Sequence, residues 1–98
     1  MANKRYYSDF SKYCMKQFCK AEDVPYEDIK RQNYIACAKA LRGLPKDVAD
    51  MMVELYSAKG NFTEKLREIS KTYSVSIEHL WKWISILERS IARERGLI

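Results

Sequence analysis

An all-α fold, a single compact domain of about five helices with a C-terminal helix-turn-helix and a long last helix, is what this sequence predicts, and three observations predict it. Apolar residues recur at three- and four-residue spacing along most of the 98-residue chain instead of alternating. Hydrophobic content is 47% with only three Gly and two Pro, a composition that favours a helical globule over a disordered tail or a small-stranded barrel. Those few Gly and Pro fall between the periodic stretches, where they separate helices. At this length about two-thirds of the unfolded surface is buried on folding, enough for a modest core without metals or disulfide staples. No sheet is expected.

Residues 1–5 read as a short basic end or arm. Over residues 6–20 the pattern predicts an amphipathic helix, with Tyr7, Phe10, Cys14 and Phe18 at helical spacing, Tyr6 and Tyr13 widening the stripe, and Lys12, Lys16 and Lys20 on other sides. Glu22-Asp23 and Val24-Pro25 interrupt it, because the residue before a proline is pushed away from helical geometry. A second helix is expected from Pro25 to a stop at Gly43, with Tyr26, Ile29, Ala36, Cys37, Ala40 and Leu41 as its inner face. Pro45 suits the first turn of a third helix, with Asp47 near the positive end of its dipole and Val48, Met51, Met52 and Leu55 as its stripe. Tyr56 sits at the edge of that stripe. Lys59-Gly60-Asn61 is a stop and turn, and Thr63 is the expected cap of the fourth helix.

Residues 66–83, LREISKTYSVSIEHLWKW, are the stretch around which the rest is arranged. Ile69 and Tyr73 place an apolar stripe on the fourth helix, Val75 fills the joint, and Leu80 and Trp83 continue the stripe on the fifth. Ser70 is small where the second of these helices passes close over the first, and Ser74 occupies the tight turn where Gly is usual. Ser76 caps the fifth helix through its side-chain oxygen, leaving Ile77, Glu78, Trp81, Lys82 and Ser85 on the outward face. In a helix-turn-helix that face enters the major groove of DNA. Ile84, Leu87 and Ile91 keep the period and no breaker precedes Gly96, so the last helix is long and ends in a basic segment with Arg89, Arg93 and Arg95. Residues 1–98 are expected to form one domain, with 6–43 as an N-terminal helical pair and 44–95 as the helix-turn-helix portion.

Ala40-Leu41-Arg42-Gly43-Leu44-Pro45 leads into an apolar helix ending Glu54-Leu55-Tyr56. A helix with Leu66-Arg67-Glu68-Ile69-Ser70 follows, and then Tyr73-Ser74-Val75-Ser76-Ile77-Glu78-His79-Leu80. In order and spacing this segment, just over half the chain, resembles region 4 of bacterial sigma factors, particularly the small extracytoplasmic-function type. It is also similar to small sigma-like regulators of Gram-positive phages and mobile elements. The resemblance implies a helical domain whose last helix enters the major groove of a promoter element. It implies an accessory regulator rather than a complete initiation factor, because the chain has no counterpart to the region that binds the polymerase clamp and melts the upstream element. The outward face departs from the family in lacking arginine and in carrying Ile77, Trp81 and Trp83 where polar or basic residues are usual; Trp83 is assigned to the core.

A net charge of +5, from 18 basic and 13 acidic residues, suits a polyanionic partner without requiring one. Lys82 is a candidate for a phosphate or a guanine edge, with Lys59, Lys65, Arg67 and Lys71 flanking it toward the backbone. For any one of them a solvated helix face is the plainer account; their joint placement around one motif favours DNA. Glu78 suits a cytosine amino group and the positive end of its helix equally. His79 serves a local hydrogen bond as readily as a base contact, and Ser76, Ile77 and Ser85 complete the candidate face. Trp81 has three readings: contact with thymine methyls or sugar, an anchor for a protein partner, or a core position. Partner surfaces are enriched in tryptophan, which favours the last two over base readout. Arg89, Arg93 and Arg95 are phosphate candidates, but Glu88 and Glu94 offset them and helix solubility is the favoured account. The aromatic group Tyr6, Tyr7, Phe10, Tyr13 and Phe18 is expected in the core, with a dimer surface as the alternative.

Cys14, Cys19 and Cys37 are odd in number, lack CxxC spacing and lie in apolar helical patterns, so three buried thiols are expected. With His79 as the single histidine, no metal or other cofactor is expected. Without a glycine-rich phosphate loop or an acid and base at readable spacing, no enzyme is expected either. No apolar run approaches the roughly 20 residues of a membrane span and the first ten residues hold no apolar signal core, so a cytoplasmic protein without membrane partners is expected. The function expected is sequence-specific transcriptional regulation through double-stranded DNA, with RNA polymerase or another host protein as a further partner and a homodimer as a candidate assembly. The alternative is a phage-encoded inhibitor or adaptor that uses the same scaffold to bind a host nucleoprotein complex or polymerase. A packaging accessory acting within an oligomer is a third reading that the sequence does not separate from the first.

Overall fold

Each break expected between periodic stretches is a loop in the computed structural model, which describes residues 4–98 with side chains from Tyr7 onward. The expected basic arm therefore lies partly outside the described residues, as does the side chain of Tyr6. Five helices follow in order: α1 (Lys4–Lys20), α2 (Asp28–Arg42), α3 (Lys46–Ser57), α4 (Phe62–Tyr73) and α5 (Ile77–Glu94). No strand occurs among the described residues. The radius of gyration, 13.1 Å, matches the roughly 13 Å of a compact chain of this length.

Helix α1 is the hub: it packs against α5, α2 and α3, while α5 also meets α2 and α4. This is why Ser11 and Met15, off the expected stripe, are fully buried beside Cys14. Ser11 Oγ donates to the Glu88 carbonyl at 2.9 Å and Ser8 Oγ donates to the Glu88 carboxylate at 2.8 Å, so α1 is bolted to α5 by polar contacts as well as packing. Met52, Leu55, Leu66, Ile69, Leu80, Ile84, Leu87 and Ile91 complete the core. Truncating any one of these to Ala costs about 2–5 kcal/mol. Helix α4 has its main contacts with α3 and α5, which leaves its other flank and the first turns of α5 facing outward.

Several expectations are corrected. Helix α2 begins at Asp28, after an extended Glu27, and residues 26–32 are exposed without a break. Tyr26, in the loop before α2, and Ile29, in its first turn, are therefore surface residues, 97% and 69% exposed. Pro45 stands just before α3 rather than in its first turn, and the Asp47 carboxylate accepts the Val48 N–H at 3.0 Å. Helix α4 is capped by Asn61, whose side-chain oxygen accepts the Glu64 N–H at 3.1 Å; Thr63 lies inside the helix. Cys14 and Cys37 are buried free thiols but Cys19 is only half-buried, its Sγ 3.7 Å from the Val53 carbonyl at the edge of α3. The hydrogen bond between Cys14 and Cys37, together with burial, pushes the Cys37 thiol up and keeps it unreactive.

Candidate functional site

The turn that joins α4 to α5 is built by local hydrogen bonds that its serines supply. Ser74, with φ 54° and ψ 45°, takes the left-handed conformation that ends α4. Ser70 Oγ donates to the Val75 carbonyl, and the Val75 N–H donates to the Ser70 carbonyl at 3.0 Å, closing the turn from both sides. Ser76 Oγ then accepts the His79 N–H at 3.1 Å and caps α5. Below these contacts Leu66, Ile69, Leu80 and Ile84 are buried in one core, with Val75 and Trp83 packed against it at half exposure. Tyr73 does not extend this stripe. It is exposed, and its hydroxyl donates to Oε1 of Glu54 on α3 at 2.8 Å.

On the outward face of α5, Ile77, Glu78, His79, Trp81 and Lys82 are exposed, and Ser85 is half-buried at its far end. Two of these side chains are already engaged. The Trp83 indole N–H donates to His79 Nε2 at 3.0 Å, which leaves Nδ1–H as the outward donor of that ring. The Trp81 ring leans on Phe62 at 6.1 Å, and Phe62 rests on Tyr56 at 5.5 Å. Trp81 nonetheless keeps 47% of its surface exposed, so the core reading of this residue is excluded.

Among the flanking cations, Arg67 and Lys71 are exposed on one face of α4, four residues apart. Lys65 is not free: its Nζ lies 3.2 Å from Glu68 and 3.6 Å from Glu54. The hydrogen bond to Glu68, with the charge of Glu54, raises its pKa, and its charge is answered within the protein. Arg95 is structural rather than a phosphate candidate. Its guanidinium donates at 2.7 Å to Asn33 Oδ1 and at 2.7 Å to Gln32 Oε1, fastening the end of α5 to α2. Arg89 and Arg93 remain exposed.

The face thus gathers two exposed apolar residues, one carboxylate and a ring of lysines and arginine, a surface able to meet phosphates at its edges and something apolar at its centre. No family model, curated protein or solved structure matches this chain. Among the described residues no cluster of three or more His, Cys, Asp or Glu is placed to hold a metal ion, and no helix is long and apolar enough to cross a membrane. One residue absent from the sequence-derived face belongs beside it. Lys12 of α1 places Nζ 4.3 Å from the centre of the Phe62 ring, against the same aromatic row that supports Trp81. The recurrence of Lys12, Lys16 and Lys20 every four residues was visible in the sequence, but not that α1 runs past Phe62.

Proposed function

We propose that this protein is a sequence-specific DNA-binding regulator of transcription, of the small sigma-like kind carried by phages and mobile elements, acting in the cytoplasm. The N-terminal half of α5 lies in the major groove in this proposal. The observation that carries it is the α4–turn–α5 unit, in which the left-handed Ser74 and the Ser76 cap hold α5 with Glu78 and Lys82 exposed and Arg67 and Lys71 exposed beside them. Lys82, Lys71 and Arg67 meet the phosphates, and Glu78 reads a base edge. Titration of the purified protein against mixed duplex DNA at several salt concentrations tests it. Affinity should fall with salt at a log–log slope of about −0.9 per phosphate contacted. Lys71→Ala with Lys82→Ala should weaken binding evenly across sequences, and Glu78→Ala should relax preference at one position. Salt-independent binding, or none, overturns the proposal.

A second use of the same scaffold is favoured by one specific observation: Trp81 and Ile77, one turn apart, are 47% and 38% exposed at the centre of the face. Tryptophans held in this way anchor protein interfaces. A protein-binding inhibitor or adaptor, directed at RNA polymerase or a nucleoprotein complex, should lose its partner on Trp81→Ala and tolerate Lys71→Ala; the reverse pattern counts against it.

A further inference from the structure

Beside the helix-turn-helix, α1 carries Lys12, Lys16 and Lys20 at four-residue spacing, a row about 12 Å long at 1.5 Å per residue. The row starts at the aromatic contact already described, where Lys12 sits over Phe62 and Phe62 supports Trp81 of α5. It continues to a surface cleft of about 210 Å³ between the end of α1 and the α3–α4 loop, where Lys16 and Lys20 meet Lys59. No carboxylate lines this cleft. Among the described residues none of these four lysines has an ion-pair partner, in contrast to Lys30, Lys39, Lys46 and Lys65.

The plain account of such lysines is that they offset helix dipoles, since α1 and α3 both end at this cleft. Two helix C-termini contribute about −1 charge in total. Three ammonium groups surround the cleft, and Lys12 adds a fourth farther along the row. Roughly two positive charges at the cleft are left unanswered by the protein's own groups, on a surface continuous with the second turn of α5.

We infer that Lys12, Lys16, Lys20 and Lys59 form a second phosphate track, which holds the backbone of duplex DNA outside the groove entered by α5. This rests on the DNA-binding proposal and extends its footprint by one helix. The track contacts phosphates alone, so it adds affinity and salt dependence without choosing a sequence.

The test compares salt titrations of duplex DNA for the wild-type chain, the variant Lys16→Ala/Lys20→Ala/Lys59→Ala, the corresponding triple Lys→Arg variant and Lys71→Ala/Lys82→Ala. All three cleft lysines are surface residues, so the melting temperature should stay within a few degrees. The Ala triple should make the log–log slope shallower by roughly 2 to 3. It should also lower affinity at least tenfold on every duplex and leave the ratio between preferred and random sequence unchanged, while the Arg triple keeps binding. If the wild-type chain binds with a steep slope and the Ala triple keeps that slope while Lys71→Ala/Lys82→Ala loses it, the track is overturned and DNA binding stands. If the wild-type chain binds no duplex at any salt, both are overturned.

Discussion

Trp83 donates its indole N–H to Nε2 of His79, 3.0 Å away and one turn earlier on α5. The two rings meet edge to face with their centres 6.0 Å apart. His79 therefore positions the tryptophan that closes the edge of the core, and its ring is committed before any ligand arrives. His79→Ala should lower stability by about 0.5–1.5 kcal/mol, the usual net worth of one such hydrogen bond, and change DNA affinity less than Lys82→Ala does. Chemical denaturation and a binding titration check the pair. A large loss of affinity with unchanged stability would return His79 to the reading face.

The cap of α4 is Asn61 and not Thr63, although both are good capping residues. Asn61→Ala should cost about 1 kcal/mol and Thr63→Ala only a few tenths, in thermal or urea unfolding. Ser76→Ala should match the Asn61 loss, since Ser76 caps α5 in the same way. Equal costs at 61 and 63 would mean that α4 starts elsewhere.

Ser74 holds φ 54° without being glycine, at the turn that sets α5 against α4. A left-handed conformation costs an L-residue about 1–2 kcal/mol, of which glycine gives back part through its freer unfolded chain. Ser74→Gly should therefore stabilise the fold by about 0.5–1 kcal/mol, and Ser74→Val should destabilise it. Differential scanning calorimetry of the two variants decides, and a stabilising Val would contradict the turn geometry.

The Tyr56 hydroxyl is buried with no hydrogen-bond partner among the described residues. Burial first, and then the negative charge of Glu88, pushes its pKa upward. A raised folded pKa means that the stabilisation tied to the neutral phenol is intact below pH of about 10, the ordinary tyrosine value, and is lost as pH rises beyond it. Tyr73, raised by its hydrogen bond to Glu54, acts in the same direction. Tyr56→Phe keeps the ring against Phe62 and removes an unpaired polar group. It should gain about 1 kcal/mol, a melting temperature 4–8 °C higher, with a shallower decline in alkali than the wild type. A loss of stability at neutral pH would show that the hydroxyl is satisfied.

What the sequence determined by itself is what local chemistry determines. The five helices, their order and the turn from Ser70 to Ser76 follow from spacing, caps and breakers, whose interactions span five residues or fewer, although α2 starts at Asp28 rather than Pro25 and α4 is capped by Asn61 rather than Thr63. The inner faces of α3, α4 and α5 were legible for the same reason, since each buries one stripe against one side of the core. Tertiary structure alone decided the rest. Helix α1 packs against α5, α2 and α3, and Ser11 and Met15 are buried on it where periodicity put none. Ile29 in the first turn of α2 and Tyr26 in the loop before it were both expected on the inner face, yet both are exposed. Arg95 is a tie to α2 because Gln32 and Asn33, 63 and 62 residues away, come to meet it. Lys12 comes beside the outward face of α5 for the same kind of reason, through Phe62 and Trp81. Periodicity reports which side of a helix is apolar; which neighbour meets that side, and which charges are left unanswered, depends on contacts distant in sequence.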